Sequence, residues 1–413
     1  MNSVPLWNNA INKNDQKCMS KLVRKLQQLA ATTPETPAVI GTDVVLDWKA
    51  MHTAVGALAS NLGSTSTLGL HLHNSPAWII ADLAAIQAGI RNIPLPTFFS
   101  NEQLLHAITD GRIDTLITND PDRISAITKV SNYKDITIAG RQLTRLQLEN
   151  SHDKTLNNDK VTYTSGTTGT PRGVVLPLDH IETVAQSLAD ASAATGNDRA
   201  LALLPLSTLL ENIGSVYVPI FAGAQIIVPD PIETGLLGSS HIDVQAFRVM
   251  LNKYCPTTMI LPPQLLKLVC GLAAQQQLPD SLRCLAVGGA PVGATLLQQA
   301  ESLDLPVYQG YGLSEACSVL TVNTPEERRS GSVGKPLSHV NIRIADDGEI
   351  YAGGTIFQGY LNTAEHSAEE LATGDRGYID NDGFLFITGR KKNTIITDYG
   401  RNMAPEWLES ELQ

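Results

Sequence analysis

The chain has 413 residues, of which 43% are hydrophobic and 17% charged, a composition typical of a folded protein of two or three domains and not of a disordered chain. Its formal net charge of −11 argues against a nucleic-acid partner, because such a partner requires a basic surface. The five cysteines are scattered without a C-x-x-C pair, which indicates reduced thiols in a cytoplasmic protein.

Two membrane-related features are not predicted. The amino terminus lacks the basic segment followed by an apolar core that marks a signal peptide. The longest apolar stretch, 215–229, contains Pro219 and is too short to cross a bilayer. We therefore expect no transmembrane segment.

The first third of the chain alternates between helical and strand patterns. Leu22, Leu26 and Leu29 recur at helical spacing, and Asn74-Ser75-Pro76 is a typical helix start. Such alternation is typical of a parallel sheet covered by helices. The predicted helices are 19–31, 48–62, 77–89 and one opening at 100–103, and the predicted strands are 38–40, 68–72, 92–95 and 115–118.

The polar stretch 150–159 predicts a boundary, after which the alternation resumes. From Gly331 the pattern changes to short antiparallel strands with Asp-Gly turns. The sequence predicts an α/β fold, with two parallel-sheet subdomains of αβαβα type at about 20–150 and 151–330 and a small antiparallel β-barrel at 331–389. The later predicted helices are 181–194, 244–253 and 263–277, and the later strands are 200–204, 225–228, 258–261, 284–287, 341–345, 349–351 and 384–388.

The segment 163–175 reads YTSGTTGTPRGVV, and eight of its thirteen residues are Gly, Ser or Thr. Glycines allow the backbone to approach a ligand closely, and successive N–H groups in such a turn form an anion-binding nest. The spacing does not match G-x-x-x-x-G-K-[ST], which argues against a P-loop kinase or GTPase. Strand-like runs on both sides and the cation of Arg172 favour a ligand-binding loop over an exposed linker.

Three more segments complete a recognisable order: GYGLSEA at 310–316, TGDRGYIDNDGFLFITGRKKN at 373–393 and GRNMAPEWLESEL at 400–412. Together with the glycine-rich segment they resemble the motifs of the adenylate-forming (AMP-binding) superfamily, most of all its acyl-CoA synthetases, the fatty-acyl ligases. The resemblance implies ATP and Mg²⁺ as cofactors. It also implies a large N-terminal adenylation domain at 1–389, followed at 390–413 by a hinge and the start of a truncated, mobile C-terminal domain.

The resemblance assigns catalytic roles to Thr164, Arg172 and Glu315. Thr164 and Glu315 would hold Mg²⁺, which proteins usually bind with few carboxylates plus phosphate oxygens and waters. Tyr311 would stack on adenine, and Ser314 would contact the α-phosphate.

Further positions are implied in the same way. Asp375 and Arg390 would bind the ribose, and Lys392 would be the hinge. The other nucleotide-binding positions implied are Ser165, Gly166, Thr167, Thr168, Gly169, Gly289, Ala290, Pro291, Gln309, Gly310 and Gly312.

Three features depart from the family pattern. Arg172 stands where the family usually has Lys, and Thr208 stands where it usually has an aromatic residue or His that gates the acyl carboxylate. The chain ends at Gln413, and 393–413 contain no Lys, whereas the family's C-terminal domain supplies a catalytic Lys. We therefore expect adenylate formation by this chain to be weak.

The implied reaction joins a carboxylic acid to ATP, releases pyrophosphate and passes the acyl group to a thiol. We expect a fatty acid as substrate and coenzyme A or a carrier-protein pantetheine as acceptor, in the cytoplasm. Three alternatives stay open: an aryl acid activated for a carrier protein, a non-catalytic AMP- or acyl-AMP-binding protein of the same fold, and, more weakly, a nicotinamide enzyme. No G-x-G-x-x-G follows the first strand to support the last.

Overall fold

The computed structural model describes residues 19–149, 158–164, 170–237, 241–392, 395–396 and 402–403. The helices in these residues are α1 (Lys21–Thr32), α2 (Trp48–Leu62), α3 (Pro76–Ala88), α4 (Asn101–Asp110), α5 (Pro121–Ile127), α6 (Leu178–Ala191), α7 (Leu209–Asn212), α8 (Val218–Ala222), α9 (Val244–Tyr254), α10 (Pro263–Ala274) and α11 (Ala294–Ser302). A π-helical segment, Ile213–Tyr217, joins α7 to α8, and a 3₁₀ turn covers Ser314–Ala316.

The strands begin with β1 (Pro37–Ile40), β2 (Val45–Asp47), β3 (Thr67–His71), β4 (Arg91–Pro94), β5 (Thr115–Thr118), β6 (Val130–Ile138), β7 (Arg141–Leu148), β8 (Asp159–Thr164), β9 (Arg172–Pro177), β10 (Arg199–Leu201), β11 (Gln225–Ile227), β12 (Leu236–Leu237) and β13 (His241–Ile242). They continue with β14 (Thr258–Leu261), β15 (Cys284–Val287), β16 (Val307–Tyr311), β17 (Thr321–Val322), β18 (Lys335–Pro336), β19 (Asn341–Ile344), β20 (Glu349–Gly353), β21 (Gly359–Tyr360), β22 (Glu370–Ile379), β23 (Leu385–Arg390), β24 (Ile395–Ile396) and β25 (Asn402–Met403).

Two large mixed sheets form the body of the molecule. One has the order β21-β9-β8-β4-β3-β5-β7-β6, and the other β18-β17-β16-β15-β14-β10-β11-β1-β2. The central strands of each sheet run parallel and the edges are antiparallel. A third, antiparallel sheet has the order β19-β20-β22-β23. The predicted α/β class and the small antiparallel unit are confirmed.

Strands that are consecutive in the sequence do not all belong to the same sheet. The early strands β1 and β2 join the sheet built around β14 and β15, whereas β8 and β9 join the sheet of β3 and β4. The predicted boundary at 150–159 falls mainly on residues outside the described ones. The predicted subdomain limits therefore remain a prediction.

Local sequence explains where several helices begin. Ser75 caps α3 by accepting from the Trp78 amide, and Pro76 occupies the first turn, where no N–H is needed. Ser100 and Gln103 form a capping box at the start of α4. Asp47 caps α2, which covers the predicted range 48–62.

The hairpin β6–β7 was not predicted. Residues 131–135 of β6 are all exposed, so that strand lacks the alternation of apolar and polar residues that marks a half-buried strand. The two strands are held by backbone pairing at the edge of the first sheet.

A wholly buried ion pair ties that sheet to neighbouring helices. Lys160 Nζ of β8 lies 2.5 Å from Asp82 Oδ1 of α3 and 2.6 Å from Tyr217 Oη. Asn212 accepts a further bond from Lys160 at 2.5 Å, and Asn92 donates to Asp82 at 2.5 Å. Burial lowers the pKa of Lys160, and the Asp82 carboxylate opposes that shift. The network holds β8 against α7 and the π-helical segment.

Among the described residues, no helix has both the length and the apolar character needed to cross a bilayer.

Candidate functional site

The glycine-rich loop connects two paired strands. β8 and β9 form an antiparallel hairpin whose last pair is Thr164 and Arg172, so the predicted strand–loop–strand is present. His106 Nε2 lies 2.9 Å from the Pro171 carbonyl and anchors the start of β9. Five predicted nucleotide-binding residues of this loop, Ser165, Gly166, Thr167, Thr168 and Gly169, lie outside the described residues.

Two predicted catalytic residues, Arg172 and Glu315, both contact the side chain of Tyr360. The Arg172 guanidinium lies 4.0 Å from the centre of the Tyr360 ring, and Nη2 donates to the phenol oxygen at 3.2 Å. The phenol donates in turn to Glu315 Oε1 at 2.8 Å. Burial and the neighbouring Glu315 raise the pKa of Tyr360 to about 12, so the phenol stays protonated at neutral pH. Tyr360 was missed in the sequence because no local pattern marks it.

A second cluster joins Tyr311, Asp375 and Arg390. The Tyr311 phenol donates to Asp375 Oδ2 at 2.6 Å, and Arg390 Nε lies 3.0 Å from Asp375 Oδ1. Asp375 and Arg390 face each other as backbone partners in β22 and β23. Asp375 is buried, whereas the Arg390 side chain is 56% exposed. Burial and the Asp375 carboxylate raise the pKa of Tyr311, which keeps its hydroxyl a donor.

The backbone around Tyr311 leaves no room for larger residues. A Cβ on Gly312 would lie 1.7 Å from the Ser318 carbonyl oxygen, so only glycine fits there. Gly289 follows β15 with φ of +80°, a conformation that favours glycine. Parallel strands β15 and β16 therefore end in two tight turns beside each other, the place where ligands bind in open α/β sheets.

A cavity of about 370 Å³ opens at these turns and has mostly apolar walls. Its size lies in the range of small-molecule sites. Thr208 of the predicted acyl gate also lines it. The predicted nucleotide-binding residues along the cavity are Gly289, Gly310, Tyr311, Gly312 and Ser314.

Four predicted residues lie elsewhere. Ala290 and Pro291 are exposed and do not line this cavity. Gln309 lines a separate recess of about 460 Å³ beside Arg328 and Arg329. Lys392 is exposed, and the preceding Lys391 forms ion pairs with Asp347 at 2.7 Å and with Glu349.

The cavity extends along β15 from its end back to its start. Arg283 precedes this strand and Gly288 follows it, which makes the span roughly 16 Å at strand geometry. The two charged residues of the cavity wall in the described chain, Arg283 and Asp198, pair with each other. Nε and Nη2 of Arg283 donate to Asp198 at 2.6 and 2.5 Å, and Nη1 donates to the Ser192 carbonyl at 2.9 Å. The wall therefore presents no uncompensated charge there.

Glu211 lies behind this wall as a buried carboxyl group. Its Oε1 accepts from the Leu203 amide at 2.8 Å and from Ser215 Oγ at 2.9 Å, while Oε2 has no hydrogen-bond partner among the described residues. Burial raises its pKa to about 8, against the smaller opposing effect of these hydrogen bonds. The carboxyl group is therefore mostly protonated at neutral pH.

The donor set near the glycine-rich loop fits a magnesium ion shared with phosphates. No group of three or more His, Cys, Asp or Glu side chains in the described residues could hold a metal by itself. Glu315 offers one carboxylate, which Tyr360 links to Arg172, and Mg²⁺ usually binds one or two carboxylates together with phosphate oxygens and water.

Comparison with known proteins gives a consistent result. A sequence model described as AMP-binding enzyme matches residues 26–361. A 2-succinylbenzoate–CoA ligase of Bacillus pumilus is 28% identical over 420 residues, covering 95% of this chain and 83% of the ligase. The long-chain-fatty-acid–CoA ligase FadD15 of Mycobacterium bovis is 26% identical over 414 residues, covering 81% of this chain and 67% of that protein.

A solved structure is similar over nearly the same span. It is the o-succinylbenzoate CoA synthetase of Bacillus subtilis in complex with its acyl-adenylate intermediate, with a TM-score of 0.76 and 26% identity. The alignment covers 94% of this chain and 81% of that one.

Proposed function

The chain belongs to the AMP-binding enzyme family, and we propose that it activates a carboxylic acid with ATP to an acyl-adenylate, releasing pyrophosphate. A thiol, which we take to be that of coenzyme A, then receives the acyl group and releases AMP. The observation that carries the proposal is the Tyr311–Asp375–Arg390 cluster, whose Tyr311 also lines an apolar cavity. One end of such a site suits a nucleoside and the other an acyl group.

In this proposal the nucleoside binds across β16, β22 and β23. The Tyr311 ring offers a flat surface for adenine, and Asp375 accepts hydrogen bonds from the two ribose hydroxyls. Tyr311 and Arg390 hold the Asp375 carboxylate from two sides, so it is oriented before the nucleotide arrives. This preorganisation reduces the entropy lost on binding.

The triphosphate lies along the glycine-rich loop toward Arg172. Backbone N–H groups and hydroxyls of the loop, with Thr164 at its start, supply donors, and Arg172 supplies a cation. Magnesium, held by Glu315 with Thr164 and the phosphate oxygens, would neutralise charge that builds up on the phosphates during transfer.

The chemical step needs no strong base, because a carboxylic acid is already ionised at pH 7. A carboxylate oxygen attacks the α-phosphorus and forms the acyl–phosphate bond, while the bond to the β-phosphate oxygen breaks and pyrophosphate departs. The residues contribute position and electrostatic stabilisation. Ser314 contacts the α-phosphate and Arg172 stabilises the leaving group.

We propose an acid whose hydrocarbon part is uncharged. The cavity walls are largely apolar, and Arg283 and Asp198 neutralise each other. The names of the relatives favour an aryl acid over the fatty acid expected from the motifs, since the ligases for 2-succinylbenzoate align over more of both chains. 2-Succinylbenzoate itself carries a second carboxylate, and the paired Arg283 and Asp198 of the cavity wall favour an aryl acid without one. The span of roughly 16 Å along β15 also accommodates an alkyl chain.

Four cysteines of the described chain, Cys255, Cys270, Cys284 and Cys317, are free thiols, which fits a reducing compartment. We therefore place the reaction in the cytoplasm. Coenzyme A as acceptor follows the names of the relatives, and a carrier-protein pantetheine is the second candidate.

Pyrophosphate exchange with a panel of acids tests the proposal. The panel contains benzoic, anthranilic and 2-succinylbenzoic acids and fatty acids of increasing length, each with ATP and Mg²⁺. We expect exchange that depends on one class of acid, and the most active acid identifies the substrate class. Binding of AMP without exchange for any acid would contradict the enzymatic proposal and favour a nucleotide-binding protein without catalysis.

A further inference from the structure

Two opposite charges of the proposed phosphate and metal site are bridged by a single phenol. Arg172 lies over the Tyr360 ring and donates to its oxygen, and the same hydroxyl donates to Glu315. The bridge occupies one guanidinium nitrogen and one carboxylate oxygen. Arg172 and Glu315 thus share a neighbour that separates their charges.

The phenol is held in place from several directions. Tyr360 pairs with Val174 across β21 and β9, two residues after Arg172. The Phe357 ring packs edge-on against the Tyr360 ring at 5.1 Å, and the Phe357 amide donates to the Glu315 carbonyl at 2.8 Å. Both the tyrosine and the backbone of Glu315 are therefore fixed to the same short segment.

Without this phenol the two charges would be free to meet. An arginine and a carboxylate form a strong, bidentate pair when nothing separates them. Such a pair would neutralise the carboxylate needed by a divalent cation and the guanidinium needed by the phosphates. A tyrosine hydroxyl avoids this, because it accepts from one partner and donates to the other.

We propose that Tyr360 is a positioning residue that holds Arg172 and Glu315 apart, so that the guanidinium stays available to the pyrophosphate portion of ATP and the carboxylate to the divalent cation. The inference rests on the proposed function for the identity of these ligands. The separation itself rests only on the contacts of Tyr360.

The binding test measures ATP affinity by calorimetry on the full chain over a series of Mg²⁺ concentrations. Tyr360→Leu should raise the Mg²⁺ concentration for half-maximal ATP binding by about tenfold or more, since a hydrogen bond to a charged group is replaced by a competing ion pair. Tyr360→Phe, which keeps the ring over Arg172, should give a smaller increase. Tyr351→Leu is the matched control, because the Tyr351 ring lies 4.3 Å from the Arg343 guanidinium in the small antiparallel sheet.

The double variant Tyr360→Leu with Arg172→Ala distinguishes two roles of Tyr360: keeping Arg172 away from Glu315, or only stabilising the local structure. If Tyr360 is a spacer, removal of Arg172 takes away the competing cation, and the Mg²⁺ requirement returns toward that of Arg172→Ala alone. If the double variant needs clearly more Mg²⁺ than Arg172→Ala alone, or if Tyr360→Leu changes nothing, the inference is wrong.

A crystal structure of Tyr360→Leu without nucleotide gives an answer that does not depend on the proposed function. We expect a direct Arg172–Glu315 ion pair with a nitrogen–oxygen distance below about 4 Å. Charges that remain apart in that structure would overturn the spacer role. Absence of ATP binding by the unaltered chain would instead reject the proposed function and leave this structural result to decide the spacing.

Discussion

The hairpin β8–β9 carries one cation near each end, and the two have opposite surroundings. Lys160 is completely enclosed and bonds to Asp82, Asn212 and Tyr217. Arg172 is exposed and lies against the Tyr360 ring at the loop end of the hairpin. A buried cation whose hydrogen bonds all go to protein groups stabilises the fold, whereas an exposed cation beside a loop is available to a ligand.

We expect the largest effect, a loss of folding stability, from substitution of the buried Lys160. Lys160→Met removes one partner of a buried ion pair and leaves the Asp82 carboxylate without its cation, which should lower the free energy of unfolding by about 3–5 kcal/mol. Urea denaturation measures the change. Lys253→Met is the matched control, because Lys253 is about half exposed in its pair with Glu233, and such pairs contribute about 0–1 kcal/mol. Equal losses in the two variants would contradict the contrast.

Substitution of Arg172, at the loop end of the hairpin, should affect activity more than stability. Arg172→Ala removes a cation near the departing pyrophosphate and should lower acid-dependent pyrophosphate exchange by about 100- to 1,000-fold. Arg172→Lys keeps the charge but loses the planar stacking on Tyr360, so an intermediate rate is expected. Lys129→Ala serves as control, because Lys129 is 86% exposed. If Arg172→Ala and this control exchange pyrophosphate at the same rate, Arg172 does not take part in the reaction.

Glu211 is a buried carboxyl group without a cation partner among the described residues, whereas the buried Asp82 is paired with Lys160. The pKa of Glu211 is raised from 4.5 to about 8, so between these values the folded chain keeps a proton that the unfolded chain has lost. This bound proton stabilises the folded chain fully below about pH 4.5, and the stabilisation is lost progressively as the pH rises to about 8.

Glu211→Gln should remove that contribution, since the amide does not titrate. Urea unfolding at pH 5 and pH 8 should show the variant gaining stability relative to the unaltered chain as the pH rises. A difference between the two proteins that is independent of pH would show that Glu211 ionises normally in the folded state.

The smallest expected effect concerns the nucleoside end. Tyr311→Phe keeps the ring for adenine but removes the hydroxyl that orients Asp375, and AMP affinity should fall by about three- to tenfold. Calorimetric titration with AMP measures this loss. A change of 100-fold or more would mean that the ring itself had moved, and an unchanged affinity would separate Asp375 from nucleotide binding.

Sequence patterns predicted the elements whose signal is local. The helix 48–62 and the strands 115–118, 258–261 and 284–287 appear with the predicted bounds, because capping residues, glycine turns and apolar runs mark them. The motif order also led to Tyr311, Asp375 and Arg390, which the structure places in contact. Their roles in binding remain predictions.

Features that depend on distant residues were not predictable. Tyr360 and Glu315 are 45 residues apart, and Arg172 is 188 residues from Tyr360. Lys160 belongs to a run that reads as an ordinary strand, and nothing local indicates that its charge would be buried against Asp82. Sheet membership was equally hidden, because β1 pairs with β11, far along the chain.

The most direct test of the account is a crystal structure of this chain with ATP and Mg²⁺. We expect adenine against the Tyr311 ring, ribose hydroxyls within hydrogen-bond distance of Asp375, and the phosphates between the glycine-rich loop and Arg172. A nucleotide bound elsewhere, or one whose ribose does not contact Asp375, would contradict it.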